Sequence, residues 1–257
     1  MKHPLIKESE ALFHELYETL NWKQKSSKII EYEKDLLLKS ISNLFKFGPN
    51  YNRILFLLKN LKYLKKEKKP VFSSIITEIE KHKDDINFNS FRFELAIAHS
   101  LCVKGIDFKK ENGPDFIIYK PQIGIECTSL KLVKKKQNIK ELVKKTKKAL
   151  SKKEDKNYAK SDTLLAIEST NLLFNVPPKD WQTLYNEQAK MLKKYMKKNK
   201  YGSILVFYSD IQRSLGIRNH FNRIDSPNIS NSLKEFLDKH YGQNRRNVNP
   251  RGIPKTP

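Results

Sequence analysis

The chain has 257 residues, 38% apolar and 31% charged, enough apolar mass for one large domain or two small ones with a buried core. Lys and Arg number 51 against 28 Asp and Glu, a formal charge of +23, which stores self-repulsion in a compact protein unless something anionic is bound. Nucleic acid is the first candidate partner and an anionic membrane face the second, although the heavy use of Lys, Asn and Ile, as in AT-rich genomes, accounts for part of the excess. The two cysteines, Cys102 and Cys127, each lie in an apolar run and exclude both a disulfide framework and a CxxC zinc site. The N-terminus lacks the apolar core of a signal peptide, and no stretch approaches the ~20 apolar residues of a membrane span. A cytoplasmic protein without a membrane segment is the expectation.

Periodicity predicts helices through the first 87 residues. Residues 7–21 carry Ala11, Leu12, Leu16 and Leu20 on one stripe. Residues 25–46 carry Ile29, Ile30, Leu37, Ile41, Leu44 and Phe45, and Gly48-Pro49 is expected to end that helix. A third helix is centred on Ile54, Leu55, Leu58 and Leu61, and Pro70 opens a fourth with Ile75, Ile76 and Ile79. The pattern changes near residue 88. Asn89 or Ser90 suits an N-cap, residues 91–103 form a helix apolar nearly all round, and Gly105 ends it. Strand-like runs follow at 106–109, 115–119 and 123–129, with Lys120-Pro121 as a turn between the last two. A Lys-rich helix at 137–152, a buried strand at 163–167, a helix at 180–199 and a strand at 204–208 complete an α/β or α+β order in which helices cover a sheet. The organisation is therefore a helical module at 1–87, a core at 88–210 and an extension at 211–257, with one more helix near 232–240 and a basic tail expected to be disordered in isolation.

The segment FRFELAIAHSLCVKGIDFKKENGPDFIIYKPQIGIECTSLKL carries the chemistry. Pro114-Asp115 opens one strand and Glu126 lies near the end of the next, with ten residues between the two acids, so one short hairpin brings both to a single point. Alternation puts Gly124, Glu126 and Thr128 on one face and Ile123, Ile125 and Cys127 on the other. The second set suits a core, which leaves Glu126 on an open face, where Gly124 leaves room for a ligand backbone. Glu94 sits on the apolar helix, where a carboxylate needs a cation, either a metal or a neighbour such as Arg92 or a Lys.

This arrangement of helix glutamate, Pro-Asp strand and Ile-Gly-Ile-Glu strand resembles the PD-(D/E)XK, or restriction-endonuclease-like, nuclease superfamily over roughly residues 90–210. The resemblance implies a restriction-endonuclease-like mixed sheet flanked by helices, behind the N-terminal helical module. It also implies Mg2+ or Mn2+ held by Asp115, Glu126, Glu94 and the Cys127 carbonyl, and metal-assisted phosphodiester hydrolysis. The implied setting is restriction or mobile-element defence. The family's lysine position is Thr128 here, and Lys131 is the stand-in if the strand stops near Ser129.

Residues 131–160 hold thirteen Lys against Glu141, Glu154 and Asp155. Lys134, Lys135, Lys136, Lys140, Lys144 and Lys145 would meet a phosphate backbone as point charges rather than read bases. DNA is favoured over RNA as the partner. Three alternatives stand. One is a nucleic-acid-binding protein with a degenerate nuclease fold, supported by Thr128. Another is a HEPN-type ribonuclease using Arg213 and His220, although Gly216 and the lack of a helical stripe between them count against it. The third is an interaction module whose N-terminal helices bind a protein partner or a second copy.

Overall fold

The computed structural model describes residues 3–84, 88–130, 138–173, 176–211 and 217–242. Four helices come first: α1 (Pro4–Leu20), α2 (Lys28–Lys39), α3 (Leu44–Glu67) and α4 (Lys69–Lys81). Asn21, in the left-handed region at φ 57°, closes α1, and Ser27 caps α2 by accepting the Ile30 N–H at 3.2 Å. Sequence expectation ends a helix at Gly48-Pro49, but the chain turns earlier, at residues 40–43, and α3 runs through that dipeptide. Pro49 falls in the second turn, where its missing N–H forfeits a single helical bond while the apolar stripe of Ile54, Leu57, Leu58, Leu61 and Leu64 keeps the helix packed.

Helix α5 (Phe88–Val103) leads into a meander of β1 (Phe108–Lys110), β2 (Phe116–Ile118) and β3 (Ile123–Ser129). Then come α6 (Ile139–Glu154), β4 (Thr163–Glu168), the single turn α7 (Thr170–Leu173), α8 (Trp181–Met196), β5 (Ser203–Ile211), β6 (Ile217–Asp225) and α9 (Asn231–His240). The protein is mixed α/β. Its six-stranded sheet is open and ordered β1-β2-β3-β4-β5-β6. The β1–β2 and β2–β3 pairs are antiparallel, β3–β4 and β4–β5 parallel, and β5–β6 antiparallel. Parallel neighbours need long crossovers, here built from α6 and α8. Residues 211–257, assigned by sequence to an extension, contain β6, which adds the last strand to the sheet, and α9, which packs beneath it.

Alternation along the strands feeds two cores. Ile123, Ile125, Cys127, Leu164, Ala166 and Leu205 join α1 to α5 and α9 on one face. Leu165, Ile167, Ile204, Val206 and Tyr208 join α6 and α8 on the other. Strands buried on both faces explain the unbroken apolar runs of β4 and β5. No helix among the described residues is long and apolar enough to cross a membrane.

Gly202, at the entry to β5, has no room for a side chain: a Cβ there would lie 1.9 Å from the Ser161 carbonyl oxygen and 2.7 Å from Leu233 Cδ2. Gly202→Ala is expected to destabilise the protein by about 3 kcal/mol. Gly105→Ala, in open space at φ 66°, should cost about 1 kcal/mol of left-handed strain. Urea unfolding of both variants checks the order, and equal midpoints would contradict it.

Candidate active site

The site is built on the β2–β3 register. Phe116 faces Ile125 and Ile117 faces Gly124, so one further step sets Asp115 opposite Glu126. Asp115 Oδ2 accepts the Cys127 N–H at 2.7 Å, so a side chain extends the ladder by one bond beyond the end of β2. The Asp115 carbonyl accepts the Glu111 N–H at 2.9 Å and closes the turn from β1. The N–H and C=O of one strand residue point to the same neighbouring strand, so the Cys127 carbonyl faces the Asp115 side.

The residues around Asp115 fit closely. A Cβ on Gly113 would lie 2.6 Å from the Tyr158 ring. A Cβ on Gly124 would lie 2.8 Å from Pro114 Cγ and 3.1 Å from the Thr163 side chain. The space expected beside Glu126 for a ligand backbone is therefore filled by Pro114 and Thr163. Glycine is required at 124 because the hairpin packs against itself there.

Glu126 does not lie on an open face. It is 2% exposed, because α6 and the segment after it cover that side of β3. The Lys153 ammonium ion-pairs with it, and the Tyr158 hydroxyl hydrogen-bonds to it. Glu94 reaches the same centre from α5. Lys110 Nζ lies 2.8 Å from Glu94 Oε2 and 3.4 Å from Asp115 Oδ1, over the Phe116 ring at 5.4 Å. The Lys110–Glu94 contact is an ion pair off the hydrogen-bonding direction, so Glu94 Oε2 is a buried oxygen without a directed donor. Asp115 and Lys153 are the more accessible members, with side chains 18% and 27% exposed, and they mark the way in.

The electrostatics follow from this packing. Burial, then the charges of Asp115 and Glu126, push the Glu94 carboxyl up to about 7 against the pull of Lys110. Burial and Asp115 also raise Glu126, with Lys153 and Tyr158 opposing. Burial works to lower both lysines, but the acids outweigh it and each ammonium is raised. Burial first, then all three acids, drives the Cys127 thiol well above its ordinary range. Its sulfur is a packed apolar group and not a nucleophile.

Comparison with protein-family models, curated proteins and solved structures finds no match to this chain.

Of the residues singled out by sequence, Glu94, Asp115 and Glu126 come together, and Cys127 supplies the backbone beneath them. Thr128 is half-buried on the Glu126 face beside Ile167 and brings no cation. Lys131, Lys134, Lys135 and Lys136 lie outside the described residues. Lys140 and Lys144 are exposed on α6, Lys144 paired with Glu141 at 3.0 Å, and Lys145 is half-buried. Arg213 lies outside the described residues, and His220 falls on the strand β6. Sequence reasoning missed Lys110, Lys153 and Tyr158. A signal existed for both lysines. Lys110 follows buried Phe108 by two, on the same face of β1. Lys153 continues the buried stripe Leu142, Thr146, Leu150 of α6. Nothing local marks Tyr158.

Glu94 keeps its proton to higher pH in the folded state than in the unfolded chain. Between 4.5 and about 7 the folded state therefore binds more protons, and stability falls as pH rises through that window. The difference corresponds to roughly 3 kcal/mol. In Glu94→Gln, which cannot ionise, this part of the decline should vanish. Urea unfolding in chelator at about pH 4.5 and about pH 8 reads it, and equal declines in parent and variant would assign the titration elsewhere.

Proposed function

We propose that the chain is a metal-dependent nuclease of the PD-(D/E)XK kind, hydrolysing phosphodiester bonds of DNA in preference to RNA. The observation that carries this reading is the register that sets Asp115 opposite Glu126, with Glu94 inside the field of both. The order of α5, the β1–β3 meander, α6 and the parallel β4 is the order expected of a restriction-endonuclease-like core.

The residues suit a divalent cation. Among the described residues no three His, Cys, Asp or Glu side chains enclose an ion as they stand, yet magnesium needs only one or two carboxylates and retains its waters. The donors are all hard oxygens. Three acids face two lysines, and Glu94 Oε2 meets the Lys110 ammonium, at 2.8 Å, as an ion pair. Asp115 and Glu126 would hold the ion, with Glu94 and the Cys127 carbonyl as further oxygens. Bound there, the ion would supply charge neutralisation at the scissile phosphate and a water acidified for attack.

The chain's own groups do the rest. Lys153, on the accessible side of Glu126, takes the part left vacant at Thr128: it places a fixed ammonium where charge develops on the phosphate. Lys110 holds Glu94 and Asp115 at a common point. Tyr158 orients Glu126 and shields it from bulk water. The exposed lysines of α6 beside the site suit a nucleic-acid backbone.

Purified protein should cut DNA only with Mg2+ or Mn2+. Asp115→Asn and Glu126→Gln should each lose activity on the order of 10³-fold with unchanged folding, and Lys153→Met, which also loses stability, on the order of 10²-fold. One observation favours a second reading, a binding protein with a degenerate site: Lys110 and Lys153 already compensate two of the three acids, and Thr128 replaces the motif lysine. That reading predicts no cleavage by the parent under any metal, and DNA affinity in Asp115→Asn equal to the parent's.

A further inference from the structure

A cavity of about 570 Å³ lies at the opposite end of β2 from Asp115, between the end of α5, the entry to β1, the β2–β3 turn and α9. Its volume falls within the roughly 300–1,000 Å³ of small-ligand sites. The space extends to the backbone: Gly105 lines the cavity at φ 66°, and a Cβ there would meet nothing within 4 Å.

Three lysines line it from three separate elements. Lys104 follows the end of α5, Lys120 sits in the β2–β3 turn and Lys239 is in the last turn of α9. Among the described residues none of the three forms an ion pair. Of the two acids in the lining, Asp107 is held by Lys68, outside the cavity, at 3.0 Å, and Glu235 leaves the lysines unmatched. Lys104 is fixed by neutral neighbours instead: its ammonium donates to Ser100 Oγ at 2.9 Å and lies 4.7 Å from the centre of the Tyr241 ring. Burial first, then Lys239 and Lys104, lower the neighbouring His240. The C-terminal dipoles of α5 and α9 account for Lys104, Lys239 and His240. They do not account for Lys120, which the turn brings to the same cavity. The lining also holds aromatic rings. Tyr119, next to Lys120, is 53% exposed, and Phe236 is buried with its ring 5.0 Å from that of His240.

Lysines meet phosphate as point charges, and an exposed aromatic ring offers a stacking face to a base. A nucleotide supplies both partners in one molecule. Glu235 is then an acceptor for a sugar hydroxyl or a base amino group. We propose that this cavity is a nucleotide-binding site, with the phosphate on Lys104, Lys120 and Lys239 and the base against Tyr119. The site is distinct from the acid centre: Asp115 and Tyr119 bracket β2, about 13 Å apart along the strand. That distance matches about four nucleotides at the duplex rise. That the nucleotide belongs to a nucleic-acid strand rests on the proposed nuclease function; the site itself does not.

The test uses the full chain in chelator, with adenosine monophosphate, inorganic phosphate and a short 5′-phosphorylated single-stranded DNA oligonucleotide as probes. Calorimetric titration should show adenosine monophosphate bound about 10-fold more tightly than inorganic phosphate. Tyr119→Ala should weaken adenosine monophosphate about 10-fold and leave inorganic phosphate unchanged. The double variant Lys120→Gln, Lys239→Gln should weaken both about 10-fold. All three side chains are exposed, so the variants should keep the parent's urea midpoint. Oligonucleotide affinity that falls in both variants assigns the site to a strand. Oligonucleotide affinity unchanged in both, with adenosine monophosphate weakened, assigns it to a free nucleotide. Binding that weakens in the lysine variant but not in Tyr119→Ala overturns the nucleotide pocket and leaves a basic surface. A parent that binds neither adenosine monophosphate nor oligonucleotide, or variants that bind both undiminished, overturn the proposal. Absence of metal-dependent cleavage by the parent would remove the nuclease reading and leave these outcomes intact.

Discussion

The arrangement of the candidate centre depends on one hydrogen bond, from the Cys127 N–H to the Asp115 carboxylate. It takes the place of a backbone bond at the point where β2 has not yet begun, and it locks the pairing that sets two acids face to face. Pro114 against Gly124 and Gly113 beneath Tyr158 follow from the same register. A carboxylate has about four lone-pair directions, so Asp115 can close the ladder with one oxygen and keep the other toward Lys110. Structural and chemical duties are shared between the two oxygens of a single side chain.

The centre draws on both sides of the sheet. Glu94 comes from α5, which packs with the N-terminal helices, and Glu126 points under α6. Removing either lysine would strand a buried carboxylate, a loss typically of about 3–5 kcal/mol, so Lys110 and Lys153 are required for the fold whatever else they do. This dual demand explains why Lys110 and Lys153 are partly sheltered while most cations among the described residues are exposed. Burial and two neighbouring like charges hold the Glu94 carboxyl protonated to higher pH than a free one.

Much of this was legible in the sequence. β3 matches its predicted span, and β4 and β5 were announced by apolar runs that only strands covered on both faces carry. The three acids were legible because carboxylates in apolar segments stand out. Their partners were not, because a lysine among many lysines carries no contrast; Lys110 and Lys153 are distinguished only by the buried residues they follow at strand and helix spacing. β6 escaped notice for a related reason. It is an edge strand with few apolar residues, and its inward position at 223 is an arginine, held by Asp225 at 2.8 Å and Asp238 at 2.6 Å. Gly124 was assigned to ligand access when its role is internal: the neighbours that fill its space, Pro114 and Thr163, are ten and thirty-nine residues away, beyond the reach of any local pattern.

That contact has an evolutionary corollary. Positions 114, 124 and 163 share one small volume, so they behave as a single heritable unit. A lineage that enlarges the residue at 124 must shrink a partner or lose the hairpin, and among relatives the three should vary in concert while the surface lysines drift independently.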